Sequence, residues 1–123
     1  MARIIIIKSE EIEIEAELND TKTAGAIWEA LPIEKPANLW GDEIYFTIPI
    51  KRGLERGQDV VEIGDIGYWP PGMAFCIFFG KTPISGEGEI RPASAVTVVG
   101  KIISDVSALK KVLFGFKVRI SKR

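Results

Sequence analysis

A chain of 123 residues, 46% hydrophobic and 27% charged with a formal net charge of −1, is long enough for one core-bearing domain. Its charge is too balanced to attract nucleic acid or an anionic membrane through a global field. Histidine is absent and Cys76 is the single cysteine, which excludes Ser-His-Asp and Cys-His nucleophile systems, imidazole acid–base chemistry, His-based zinc sites and an internal disulfide.

The longest apolar run, Met73–Phe79, is far short of a membrane span, and the Ile4–Ile7 run is too short for a signal-peptide core. A cytoplasmic protein of one domain, residues 1–123, with no cofactor and no metal, is the expectation. Gln occurs only at Gln58 and Asn only at Asn19 and Asn38, beside abundant Ile, Lys and Glu, a bias seen in thermophilic proteins.

In chain order, residues 2–8 are β-branched, and four consecutive isoleucines predict a strand buried on both faces. In residues 10–18, Ile12, Ile14, Ala16 and Leu18 alternate with Glu11, Glu13, Glu15 and Glu17, the period of a half-buried strand. Ser9 and Glu10 between them predict a hairpin. Asp20 or Thr21 then caps a helix whose Ala24, Ile27, Trp28 and Leu31 share an apolar face, with Trp28 in the core, and Pro32 ends it. Residues 38–40 and 43–50 read as strands about the Gly41-Asp42 turn, followed by a charged surface loop over 51–58.

The segment Gly64-Asp-Ile-Gly-Tyr-Trp-Pro-Pro-Gly72 comes next. Pro70 and Pro71 lack the N–H a ladder needs, so residues 68–72 are expected as a stiff bend displaying Tyr68 and Trp69, between strands at 60–63 and 74–79. Those two aromatics are then either plugs in the core or a binding lip. Cys76, inside the Phe75–Phe79 run with no base nearby, reads as a small core residue. Residues 81–94, with two glycines and two prolines, form a long loop of the kind that often carries function. A strand over 95–103 follows, then a short helix capped by Ser104 with Val106, Leu109 and Leu113 on one face. The last strand, 115–123, alternates Phe116, Val118 and Ile120 with Lys117, Arg119 and Ser121. Six to eight strands and two short helices without a βαβ rhythm predict a mainly β, closed antiparallel barrel. The glutamate ladder of residues 11–17 and the Lys117, Arg119 ladder have matching periods and opposite charge, so they are expected on one barrel wall, paired or one strand apart.

The stretch DTKTAGAIWEAL resembles the cyclophilin segment in which Pro-Lys-Thr-Ala leads into the first helix, and GDIGYWPPGMAFCIFFG resembles the small prokaryotic cyclophilin-like proteins of unassigned function. The likeness spans essentially the whole chain. It implies an eight-stranded barrel and, for cyclophilins, isomerisation of peptidyl-proline bonds. That reaction lowers an amide rotation barrier of roughly 18–20 kcal/mol with an arginine donor and an apolar pocket for the ring. Here the catalytic set departs from the family. The matching strand, Tyr45-Phe46-Thr47-Ile48-Pro49, holds no arginine. Aligned on Gly100-Lys101, the pocket tryptophan falls on Arg91 and the pocket histidine on Val96.

The leading expectation is therefore a barrel that binds a small ligand or an extended peptide without efficient isomerase activity. Its candidate site comprises Phe46, Tyr68, Trp69 and Pro70 of the lip region, with Arg91 from the long loop, and Trp69 and Arg91 sharing one concavity. A weak isomerase with Arg91 or Arg52 as a relocated donor is the enzymatic alternative. Self-association into a homodimer through the Tyr-Trp-Pro-Pro lip is a third. Nucleic-acid binding by the basic final quarter is set against the acidic residues 10–20.

Overall fold

The computed structural model describes residues 2–123. Its strands are β1 (Arg3–Ser9), β2 (Ile12–Leu18), β3 (Ile33–Pro36), β4 (Asn38–Leu39), β5 (Glu43–Thr47), β6 (Asp65–Trp69), β7 (Ala74–Phe78), β8 (Thr97–Ile102) and β9 (Lys117–Lys122). One α-helix, α1 (Lys22–Ala30), and a short 3-10 helix at Val106–Lys111 complete the predicted pair of helices. The strands form one antiparallel sheet in the order β3-β9-β1-β2-β8-β6-β7-β5-β4.

The two outermost strands of that sheet, β3 and β4, are successive pieces of a single segment. Its first half pairs with β9 and its second half with β5. At the join, the Ala37 N–H donates to the Phe116 oxygen (2.8 Å) and the Gly115 N–H donates to the Ala37 oxygen (2.9 Å). Residues 33–39 thus bridge the two edges and bring the sheet to a nearly closed barrel. Counted as one strand, they recover the expected number of about eight.

The β1–β2 hairpin turns at Glu10, with a positive φ of 55°, as expected. Ile5 and Ile7 enter the core, whereas Ile4 and Ile6 are only half-buried on the outer wall. The four isoleucines therefore do not mark a strand buried on both faces. The outer two have polar cross-strand neighbours instead, since Ile4 lies opposite Glu17, and Ile6 opposite Glu15 and Ser121. Strands β2 and β9 flank β1, so the acidic and basic ladders share one wall a strand apart, and Arg123 Nε reaches Glu15 at 3.3 Å.

Helix α1 begins as its sequence dictates: the Thr21 hydroxyl accepts from the Ala24 N–H at 3.1 Å. Leu31 then turns to extended backbone before Pro32. Ala24 and Ile27 are buried, but Trp28 is only partly so, with Lys122 Nζ 4.9 Å above its ring. Among the described residues no helix is long and apolar enough to cross a membrane.

Three expectations are corrected. Residues 60–63 form no strand; only Val61 pairs, with Ile90. The strand leading into the double proline is β6 itself, so Tyr68 and Trp69 are ladder residues and the bend is confined to a 3-10 turn at Pro70–Gly72. Near the C-terminal end, Asp105 caps the 3-10 helix by accepting from the Ser107 N–H at 2.9 Å, while the Ser104 hydroxyl accepts from the Glu15 N–H at 3.0 Å. Leu113 lies beyond that helix, 56% exposed, because the chain has already turned to extended backbone at Val112.

The barrel holds the main core, including Ile5, Ile14, Ile27, Ile44, Phe46, Ile66, Tyr68, Phe75, Ile77 and Ile120. A second, smaller apolar cluster lies outside it, where Val61, Ala74, Cys76, Phe78, Ile90 and Val96 pack between the outer face of the sheet and residues 80–96.

Strand β8 crosses β2 closely enough that a Cβ on Gly100 would lie 2.5 Å from the Glu17 oxygen and 3.1 Å from the Leu18 Cα, both backbone atoms. Gly100→Ala should therefore cost about 1–3 kcal/mol in denaturant unfolding, as overpacking of rigid backbone does. Gly53→Ala, where nothing lies within 4 Å, should leave the midpoint almost unmoved.

Candidate functional site

Strands β5, β6 and β7 alternate strictly. Ile44, Phe46, Ile66, Tyr68, Phe75 and Ile77 point into the barrel, and Glu43, Tyr45, Trp69 and Cys76 line its outer side. The chain that covers this outer side is clipped down at two points. Gln58 and Val96 exchange backbone hydrogen bonds of 2.8 and 3.0 Å, and the Val61 N–H donates to Ile90 at 2.9 Å. Between the sheet and this cover lies a cleft of about 310 Å³ lined by Trp40, Glu43, Tyr45, Trp69, Cys76, Pro92, Ala93 and Val96.

The two aromatics before the double proline have opposite fates, because consecutive strand residues face opposite sides. Tyr68 is fully buried. Its hydroxyl donates to the Ile50 carbonyl and accepts from the Arg52 N–H (3.2 Å), closing residues 50–52 over the barrel interior. Trp69 is partly exposed at the cleft's rim, where its indole N–H donates to the Ser94 hydroxyl at 2.7 Å. The ring lies over Gly72, where a Cβ would come within 2.9 Å of it, so the glycine that ends the double-proline turn is also the seat of the tryptophan.

Of the other residues singled out from sequence, Phe46 stacks on Phe75 inside the barrel, with centroids 5.5 Å apart. Pro70 lies on the far side of the bend, lining a shallower concavity with Thr47, Lys51, Arg52, Gly53, Pro71 and Met73. Arg91 is held by Glu89 at 2.9 Å and does not line the cleft, although its neighbours Pro92 and Ala93 do. Trp69 and Arg91 therefore do not share one wall. Val96, set by the register at the family's histidine position, does line the cleft.

Glu43 is the residue that sequence reading missed. Beside the Gly41-Asp42 turn it looks like a solvated strand start, yet it is 6% exposed and faces the cleft. No lysine or arginine approaches it within 4 Å among the described residues. Burial pushes its carboxyl up to about 7, and a hydrogen bond from the Cys76 thiol pulls it back only in part. The same thiol makes a long contact, 3.8 Å, with the Ala74 oxygen. Burial first, and the Glu43 charge second, push the Cys76 thiol well above its ordinary range, so it is not a ready nucleophile. Among the described residues no group of three or more acidic or cysteine side chains could hold a metal.

The cyclophilin-like family profile matches residues 3–121, and the chain belongs to that family. It is similar to a hypothetical protein from Archaeoglobus fulgidus whose solution structure superposes with a TM-score of 0.84 at 46% sequence identity, over 99% of this chain and 95% of that one. Comparison with curated proteins returns no match.

The position of Glu43 sets a pH dependence. The native state keeps this proton up to about pH 7, where an unfolded chain has lost it near 4.5. The carboxyl costs nothing below 4.5, and its cost grows as pH rises through about 7, to about 3 kcal/mol. Glu43→Gln should thus match the wild type in stability at low pH and exceed it at about pH 8 by up to that amount. Urea unfolding at the two pH values measures the difference, and an equal effect at both would remove burial of the charge as its cause.

Proposed function

We propose that this chain is a binding protein that takes a small ligand, or one side chain of an extended peptide, in the cleft walled by Trp40, Tyr45 and Trp69, without efficient isomerase activity. The observation that carries this reading is the composition of the cleft: three aromatics and buried apolar side chains, with no arginine or lysine among its lining. A concave, mostly apolar site with one or two polar groups is what small-ligand recognition needs. Stabilising a twisted prolyl amide needs a strong donor at the prolyl nitrogen, and a charged donor is about twice as strong as a neutral one. The Thr47 hydroxyl is neutral and donates to the Gly72 oxygen at 3.0 Å. Arg91 is engaged by Glu89 at 2.9 Å.

The isomerase alternative is favoured by one feature, Arg52. It lines the concavity beside Thr47, and its Nε donates to the Thr23 hydroxyl at 3.1 Å. Self-association through the lip is left with little area, since Tyr68 is buried, Trp69 is tied to Ser94 and only Pro71 of the four is exposed.

A proline-peptide isomerisation assay should show little or no acceleration. Robust activity abolished by Arg52→Ala or Arg91→Ala would establish a relocated donor and displace the binding reading. In a fragment screen followed by amide NMR shifts, compounds should perturb Trp40, Tyr45, Trp69 and Val96 together. Trp69→Ala should weaken them about tenfold or more, as loss of an aromatic anchor does. The same substitution should cost less than the roughly 3–5 kcal/mol of a core aromatic truncation, because the ring is at a rim.

A further inference from the structure

We infer that the ligand of this cleft carries a positive charge on an alkylammonium or methylated ammonium group, held between the faces of Trp40, Tyr45 and Trp69 with Glu43 as its counter-charge. The inference rests on the binding reading above and adds the chemical class. Four observations converge on it.

The first is the sign of the site. Of the eight lining residues, Glu43 is the only carboxylic acid, and none is cationic. The second is the state of that carboxylate. It is 6% exposed, has no ion pair and receives no hydrogen bond from any N–H among the described residues, so a thiol is its one donor. Two other acidic side chains of this side of the sheet and its cover already have cations: Asp65 on β6 lies 3.7 Å from Lys101, and Glu89 in the covering loop binds Arg91. A buried carboxylate left without a cation is costly, and a cationic ligand removes that cost.

The third observation is the wall. Aromatic faces carry negative electrostatic potential and attract ammonium groups, most strongly when desolvated. The fourth is size and ligand chemistry. A cleft of about 310 Å³ is at the small end for organic ligands, and a lone carboxylate among carbon faces lacks the oxygen ligands that calcium or magnesium requires.

A cation in this position favours the ionised form of Glu43, so binding expels its proton wherever the free protein holds one. The other titratable groups close to Glu43 are few. Cys76 on β7 is neutral through burial, Tyr45 lies two residues along the same strand, and Asp42 sits in the turn before it. Asp65 on β6 and Arg91 in the cover are paired as described, Lys81 is exposed beyond the turn, and residues 92–96 carry no charge. Proton release therefore reports on Glu43.

The test compares choline with its uncharged isostere 3,3-dimethylbutan-1-ol by calorimetry and by amide NMR. A third arm with Nα-acetyl-lysine methylamide separates a free small cation from a basic peptide side chain. Choline or the lysine derivative should bind at least about tenfold more tightly than the neutral isostere. Binding at about pH 6 should release close to one proton per site, and at about pH 9 almost none. Glu43→Gln should reduce the preference for charge to below about threefold while the isostere still shifts Trp40 and Trp69 resonances. Trp40→Ala should weaken the cation more than the isostere. Equal binding of charged and neutral partners, or no proton release, overturns the inference while leaving a binding cleft in place. If neither these probes nor the fragment screen perturbs the cleft, both readings fall together.

Discussion

Strands β5, β7 and β6 are covered on both faces, and that double burial constrains everything around them. Their inward side chains, Phe46, Tyr68 and Phe75 among them, fill the barrel. Their outward side chains meet the second cluster beneath residues 80–96. A one-residue slip in any of these ladders would exchange the two sets, sending Glu43 into the barrel and a phenylalanine into the cleft. The antiparallel pairing of Glu43 with Phe78 and of Tyr45 with Cys76 therefore fixes the core and the site in one stroke. The long loop, clipped at Gln58–Val96 and Val61–Ile90, turns what would be an open sheet face into a concavity.

The polar groups of the molecule divide into two kinds by their surroundings. Arg123 with Glu15, or Lys101 with Glu62, are exposed pairs in a high-dielectric, salt-screened setting and contribute little individually. Glu43 is the opposite case: low dielectric, no cation and a carboxyl that resists ionising. Its ionisation lowers stability as pH rises from about 4.5 through about 7, so packing alone gives no reason for a carboxyl at this position.

Periodic patterns made part of this architecture legible. The alternation of glutamates with apolar residues in β2, and the Thr21 cap followed by helical spacing, are local signals that fold as they read. Strand β6 was hidden because only the first of its outward positions, Asp65, Gly67 and Trp69, is polar, so the period-2 pattern of Ile66 and Tyr68 was blurred and led into prolines. Strand β3 was hidden because it lies between Pro32 and Pro36 and shows solvent Glu34 and Lys35. The stiff turn after Trp69 raised it as a lip residue but raised the buried Tyr68 with it, and only the ladder's alternation separates the two. Glu43 was not, since its burial is conferred by residues 76 and 92–96, far along the chain, and no local spacing encodes a non-local lid.

The seating of β9 between β1 and β3 has a consequence for how the chain acquires its structure during synthesis. A nascent chain that has emerged only as far as β8 holds every other strand, yet β1 and β3 each lack the neighbour that completes them. Both then present unpaired N–H and C=O groups, the template on which chains stick to one another. Closure waits for residues 117–122, so the barrel matures only after its final strand is free of the ribosome. Such sequence-distant pairing belongs to the slow end of small-domain folding. Until then, Arg3 and Lys8 on β1 and Glu34 and Lys35 on β3 put charge on the two open edges, which opposes edge-to-edge pairing.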